Sequence, residues 1–166
     1  DHLDYGTVKA IRNRVGKVIC PLGVGEHFEY WGYPIEKIVE LDWNDVYASD
    51  NDFKITCLPA RHFSGRFLRQ NPTLWASFMI EGHSTVYVGG ENGQYNEDWR
   101  YIHTLPSQLP KAIHELNATQ TLPVHNSKFS LSRHAWDESV RKIKEAESRD
   151  SNLHVVHAII GSAILY

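Results

Sequence analysis

One histidine, His62, lies between two arginines in the segment CLPARHFSGR, residues 57–66. The stretch before it alternates between apolar and polar side chains, which predicts a strand that ends just ahead of this loop. An imidazole can bind a metal ion or move a proton near neutral pH, and a guanidinium can hold a phosphate or carboxylate group. Arg61 and Arg66 could therefore receive an anionic substrate. Taken singly, His62 is more often an ordinary loop histidine, and each arginine is as readily a surface residue.

Several other histidines stand at predicted junctions between strands, loops and helices, where binding and catalytic groups gather on a rigid scaffold. Asp1 precedes the first of them and adds a carboxylate, which together with imidazole suits zinc or manganese. Alone, such a pair is more often a helix cap beside a surface imidazole. Glu91, in GGENGQY, could be a further carboxylate ligand, although such a turn is more often only a turn. The junction histidines are His2, His62, His103 and His125.

The length and composition favour a single domain spanning residues 1–166. The chain carries no strong net charge. A net charge of −3 disfavours nucleic acid as a partner, and no apolar run is long enough for a membrane span. Cys20 and Cys57 lie in apolar stretches, so we expect reduced, buried thiols and a cytoplasmic protein. We expect a small-molecule substrate, and a homo-oligomer stays open.

The elements that must position these residues alternate between strands and helices, which predicts a mixed α/β sandwich. We expect helices over 7–14, 106–117 and 136–150, with Thr7 and Asp137 as caps of the first and last. A glycine-punctuated connection is expected over 23–32, and a hairpin turn at residues 82–83. Strands are expected over 17–22, 38–41, 53–58, 73–81, 84–90 and 153–166.

Together these segments resemble, in their order, the metallo-β-lactamase superfamily. There a strand ends in His-x-His-x-Asp-His, and Asp1-His2 is similar to the last two residues of that run. The resemblance is closer to the branch of L-ascorbate-6-phosphate lactonases and N-acyl-phosphatidylethanolamine phospholipases D. PARHFSGR (59–66) followed by TLWAS (73–77) is similar to that branch's Pro-Ala-x-His-Trp-Ser-x-Arg and Thr-Leu-Trp. LPVHNSKF (122–129) resembles Pro-x-His-Trp-Gly-x-Phe, and YIH before LP (101–106) resembles His-x-x-Pro.

The resemblance implies an αββα sandwich, here incomplete because N-terminal strands and an internal loop are missing. It implies one or two divalent metal ions per chain, with zinc favoured and manganese or iron open. Asp1, His2 and His125 would hold one ion and His62 the other, with Asp1 counted also as catalytic. His103 would be a general acid or would orient the substrate, beside the substrate-binding Arg61 and Arg66.

One departure from the branch concerns the turn after the YVGG-like strand, which normally carries a metal-bridging aspartate. Here Gly90 runs straight into Glu91. An omitted internal segment is favoured; if the deletion is real, Glu91 is the only local substitute.

The sequence thus predicts a metal-dependent hydrolase that uses a metal-activated water on a small lactone or phosphodiester. The alternative is a catalytically silent metal-binding or scaffold domain of the same fold. The hypothesis of a nuclease of the same superfamily is less favoured, because the net charge is negative and no basic stripe is present in the sequence.

Overall fold

The structure is a computed structural model that describes residues 3–66, 68–89, 104–125 and 134–157. Contacts divide the chain into a first unit, Asp1–Gly89, and a second unit, Gly90–Tyr166. Each unit is described by itself. Three of the residues expected in the site, Asp1, His2 and His103, lie outside the described residues, as does Glu91.

The described residues of the first unit form two α-helices and eight strands. They are α1 (Tyr5–Ile11), β1 (Val18–Pro21), α2 (Gly25–Tyr30), β2 (Ile38–Leu41), β3 (Val46–Ala48), β4 (Lys54–Pro59), β5 (Gly65–Arg66), β6 (Arg69–Gln70), β7 (Ala76–Glu81) and β8 (Thr85–Val88), with short 3-10 helices at Arg12–Arg14 and Ile35–Lys37.

Helix α1 begins two residues earlier than its sequence pattern suggests, because Asp4 caps it instead of Thr7. The Asp4 carboxylate accepts a hydrogen bond of 2.6 Å from the Thr7 backbone N–H, which satisfies one of the donors at the start of the helix. Thr7 was thus the wrong cap, although the helix itself is confirmed.

The segment predicted as a connection is in fact largely helix α2. The Glu40 carboxylate on β2 accepts a hydrogen bond of 2.8 Å from the Gly25 N–H at the start of α2. Phe28 turns inward and meets the ring of Tyr33 edge to face. Helix α2 connects the parallel strands β1 and β2, so the segment is a connection as predicted, but the helix within it was not expected.

The core of this βαβ unit lies beneath α1 and α2. The hydroxyl of the buried Tyr33 donates to the Val8 carbonyl at 2.8 Å, so the ring is buried with its polar end satisfied. The buried members of the core are Val8, Val18, Cys20, Phe28 and Tyr33.

A four-stranded antiparallel sheet of order β3-β4-β7-β8 follows, with the predicted hairpin between β7 and β8. Strand β3 was not expected. It forms because its three residues pair in register with β4, from Val46 opposite Thr56 to Ala48 opposite Lys54. The short β5-β6 hairpin lies between β4 and β7 in the chain.

The second unit contains α3 (Leu109–Glu115) and α4 (Glu138–Arg149), both close to their predicted ranges. Its buried core residues are Leu109, Ile113, Ile143 and Leu153. Asp137 stands at the start of α4 but makes no capping bond; its carboxylate instead accepts from Arg141 at 3.1 Å.

The predicted final strand is described only as far as residue 157. Within its described part, Val155 forms an isolated parallel bridge with Thr121.

Both units combine helices with β-structure, so the predicted α/β class is confirmed. Among the residues that the structure describes, no helix is long and apolar enough to cross a membrane.

Candidate functional site

His62 lies in the loop that follows β4, as the sequence predicted. Its Nδ1 is 2.8 Å from the backbone carbonyl oxygen of Phe63. A carbonyl oxygen can only accept, so Nδ1 carries a proton, and in the neutral ring the lone pair is on Nε2. The ring also stacks on the Phe63 ring, with centroids 4.9 Å apart and planes 15° apart. His62 is therefore held in the tautomer that presents Nε2 to a ligand.

A hydrogen-bonded clasp fixes the ends of the loop. The Ser64 hydroxyl donates to the Thr73 carbonyl at 3.0 Å, and the Thr73 N–H donates back to that hydroxyl oxygen at 3.2 Å. The Asn71 N–H donates to the Ser64 carbonyl at 2.7 Å. We call this set, centred on the buried Ser64, the Ser64 clasp. It ties the end of the His62 loop to the segment that leads into β7.

Residues 71–75, which lead from the Ser64 clasp back to β7, form the return arm of the His62 hairpin. Two further loops of the first unit form hydrogen bonds with this return arm. The Leu74 N–H donates to the Leu22 carbonyl at 2.9 Å, which ties the arm to the end of β1. The indole Nε1 of Trp43 donates to the Trp75 carbonyl at 2.6 Å. The backbone that carries Trp75 is thus fixed from two sides.

The positions of the two arginines near His62 support substrate binding to different degrees. Arg61 is exposed, so its guanidinium could meet an anion arriving from solvent. Arg66 is the second residue of β5, with its backbone in register with Arg69. Its place in the chain, four residues after His62, is what the sequence already indicated.

His125 belongs to the second unit and has an unusual backbone. It is half-buried, and its φ of 61° lies in the left-handed region that side chains other than glycine seldom adopt. Residues held in such conformations cluster at binding and catalytic sites, because the surrounding structure must impose them. The backbone at His125 is the kind found at functional positions.

The residues expected to bind metal are not brought into one described cluster. Across residues 3–66, 68–89, 104–125 and 134–157, no group of three or more His, Cys, Asp or Glu could hold a metal ion. Of the four expected ligands, only His62 and His125 are described, and they lie in different units. His62 nevertheless fits a metal, since imidazole ligands characteristically donate their second N–H to a carbonyl or carboxylate.

Two acidic residues near this end of the sheet, Asp42 and Asp45, were not singled out from the sequence. Asp45 accepts the Asp42 N–H at 2.9 Å, and Asp42 accepts the Trp43 N–H at 2.7 Å. These local bonds build the tight turn before β3. The carboxylates therefore serve the turn that places Trp43 against Trp75.

An open cavity of about 450 Å³ lies at the other end of the same sheet. Lys54 and Glu81 line it and form an ion pair of 3.1 Å. Lys54 begins β4, whereas His62 follows the end of that strand. The cavity therefore does not coincide with the candidate site.

The comparisons with known proteins agree on a family. A family model described as a beta-lactamase superfamily domain matches residues 1–93. An uncharacterized protein of Mycobacterium tuberculosis is 35% identical over 187 residues, which cover 96% of this chain and 49% of that protein. The chain thus spans about half the length of the curated relatives of this kind. The aligned stretch of 187 positions exceeds the 166 residues here, so the relative has internal residues without a counterpart in this chain.

A more distant sequence relative and one solved structure extend the comparison. The mitochondrial N-acyl-phosphatidylethanolamine-hydrolyzing phospholipase D of Saccharomyces cerevisiae is 25% identical over 178 residues, 87% of this chain and 38% of that protein. Igni18, a metallo hydrolase from Ignicoccus hospitalis, superposes with a TM-score of 0.68 at 14% identity, covering 95% of this chain and 72% of its own. At that identity the likeness shows the fold.

Proposed function

Because the chain belongs to the metallo-β-lactamase superfamily, we propose that it is a metal-dependent hydrolase acting on a small anionic substrate, a phosphodiester or a lactone. The observation that carries the proposal is the orientation of His62. Its Nδ1–H donates to the Phe63 carbonyl at 2.8 Å, which leaves Nε2 as the ligand atom.

In this proposal Asp1, His2 and His125 would hold one divalent ion, while His62 would contribute to the other. When bound, such ions supply an activated water at neutral pH and polarise the carbonyl or phosphoryl oxygen under attack. Zinc is favoured because its sites combine imidazole with carboxylate, and manganese and iron bind the same donors.

The chain's own residues would then bind the substrate and orient it for attack. The exposed Arg61 would bind the anionic group, with Arg66 further along the chain at the end of β5. Arg61 and His62 are adjacent in the chain and the Ser64 clasp holds the end of their loop, so the two side chains would act from one short segment. His103 would donate a proton to the leaving group or orient the substrate.

The phosphodiester side of the proposal has the support of a named relative. The yeast phospholipase D is similar over 87% of this chain, and the reaction named for that protein is hydrolysis of a phospholipid diester. The lactone side rests on the sequence resemblance alone. A phosphodiester is therefore the first substrate class to test.

The test is an activity screen of the full-length protein with bis-p-nitrophenyl phosphate and a simple lactone, before and after chelation. We expect hydrolysis of the diester that is lost with chelator and restored by added zinc or manganese. Hydrolysis that survives complete metal removal would contradict the proposal. A folded protein with neither metal nor activity would favour the scaffold alternative.

A further inference from the structure

Two buried polar groups at the start of β7 have no hydrogen-bond partner among the described residues. They are the indole Nε1 of Trp75 and the hydroxyl of Ser77. Ser77 is only 2% exposed. Buried donors are nearly always paired, because removing an unpaired donor from water costs free energy that no new hydrogen bond offsets. A pair of them, two residues apart in one strand segment, calls for an explanation.

Their place in the chain puts them beside the candidate site. Trp75 lies on the return arm of the hairpin whose outgoing arm carries His62. The pairing of Pro59 with Ala76 joins the two arms on one side, and the Ser64 clasp joins them on the other. Trp75 and His62 are thus enclosed in the same short hairpin section.

The backbone at Trp75 is also held in place by hydrogen bonds within the first unit. Its backbone carbonyl accepts from the Trp43 indole at 2.6 Å, and the preceding N–H, that of Leu74, donates to Leu22 at 2.9 Å. The backbone at this position therefore needs little further ordering when a ligand binds. The cost of burying its N–H is already met in the folded protein.

We propose that the Trp75 indole N–H, with the Ser77 hydroxyl, donates hydrogen bonds to an oxygen of the substrate's anionic group. This inference rests on the hydrolase function proposed above. An indole N–H can only donate, so it suits an anionic oxygen and cannot serve as a metal ligand. Hydrogen bonds to a charged oxygen are also the stronger kind. Trp75 would thereby select phosphate-like groups over neutral ones.

The experiment compares Trp75→Phe and Ser77→Ala with the wild type in the metal-loaded full chain, with inorganic phosphate as the probe in titration calorimetry. We expect Trp75→Phe to weaken phosphate binding roughly tenfold, the usual loss for a charge-assisted hydrogen bond. Bound metal should stay at the wild-type level. Ser77→Ala should weaken binding in the same direction without lowering the Tm, because it removes a hydroxyl that bonds to no described group.

Trp136→Phe is the matched control, since Trp136 is 61% exposed and outside the proposed contacts. Its phosphate affinity should equal that of the wild type. If Trp75→Phe and Ser77→Ala bind phosphate as tightly as the wild type, the inference is overturned. Ser77→Ala that only lowers the Tm would show a structural role instead, and a wild type that does not bind phosphate would also refute it.

Failure of the hydrolase proposal would look different, with no bound metal and no hydrolysis in the wild type. The comparison of phosphate affinities among the variants would still be readable.

Discussion

The ring orientation of His62 depends on the neighbouring residue, Phe63. A histidine between arginines can be read from the sequence, and the loop position after a strand was predicted correctly. The tautomer was not predictable, because it depends on a carbonyl oxygen 2.8 Å from Nδ1, and hence on the backbone conformation at Phe63. The same is true of Trp75, because only the folded structure shows that its indole N–H is buried and has no hydrogen-bond partner among the described residues.

The two cysteines give a prediction at the same scale. Burial, with a smaller contribution from Glu40, raises the pKa of Cys20 to about 12. Burial, followed by Asp42 and Asp45, raises the pKa of Cys57, which is 0% exposed. Since the thiolate is the reactive form, we expect neither thiol to react with Ellman's reagent at pH 8 in the folded protein.

Both thiols should react once the protein is unfolded in guanidinium chloride, which is the internal control for the reagent. Fast labelling of either cysteine under native conditions would contradict the burial described for it.

At the scale of elements, local patterns predicted most helices and strands, and the errors have non-local causes. The segment of α2 was read as a connection because Gly23, Gly25 and Gly32 occur at its start and just after its end. Its first turn is held by a carboxylate from β2, Glu40, fifteen residues later in the chain. Strand β3 was missed because its three residues are too few to show a pattern and pair only once β4 is in place.

Gly23 follows β1 and lies close to Pro72 in the return arm of the His62 hairpin, and it should not tolerate a side chain. Its φ is +82°, and a Cβ there would lie 2.9 Å from the Pro72 carbonyl oxygen. We expect Gly23→Ala to lower the free energy of unfolding by about 1–3 kcal/mol, through backbone strain and the contact. Urea titration followed by circular dichroism measures this.

Gly16 provides the control for that substitution. A Cβ at Gly16 would meet nothing within 4 Å, so Gly16→Ala should leave the unfolding midpoint unchanged or slightly raised. Equal effects of the two substitutions would show that the Gly23 contact is not what matters.

In the second unit, the carboxylate of Asp150, just after α4, contacts the ring of His114 near the end of α3. It lies 2.7 Å from the His114 Nε2. The pKa of Asp150 is lowered from 3.8, first by this hydrogen bond and then by the Asn152 N–H. A carboxyl whose pKa is lower when folded stabilises the protein above its unfolded pKa, and that contribution is lost as pH falls through the folded value.

We therefore expect Asp150→Asn to lower the Tm at pH 6 and to have a smaller effect near pH 3. Glu115→Gln is the control, because its partner Lys111 lies 3.6 Å away in an exposed i,i+4 pair of little value at any pH. A difference between wild type and Asp150→Asn that stays constant from pH 6 to pH 3 would refute this assignment.

At the scale of the whole molecule, the sequence predicted the family and the α/β class, while the site is only partly assembled in the described structure. The class follows from the alternation of apolar patterns, which is local information. A metal centre depends on residues far apart in the chain. Asp1, His2 and His103 lie outside the described residues, and His125 belongs to a different unit from His62. The ligand set therefore stays a proposal, carried by His62 and by family membership.

The most direct test of this account is the metal content of the full-length protein and its His62→Ala variant, measured by elemental analysis after removal of loosely bound ions. His83→Ala is the control, since His83 is exposed in the turn between β7 and β8. The account predicts that the wild type and His83→Ala hold the same amount of zinc, manganese or iron, and that His62→Ala has lost bound metal while remaining folded. A folded His62→Ala protein with the full metal content of the wild type would contradict it.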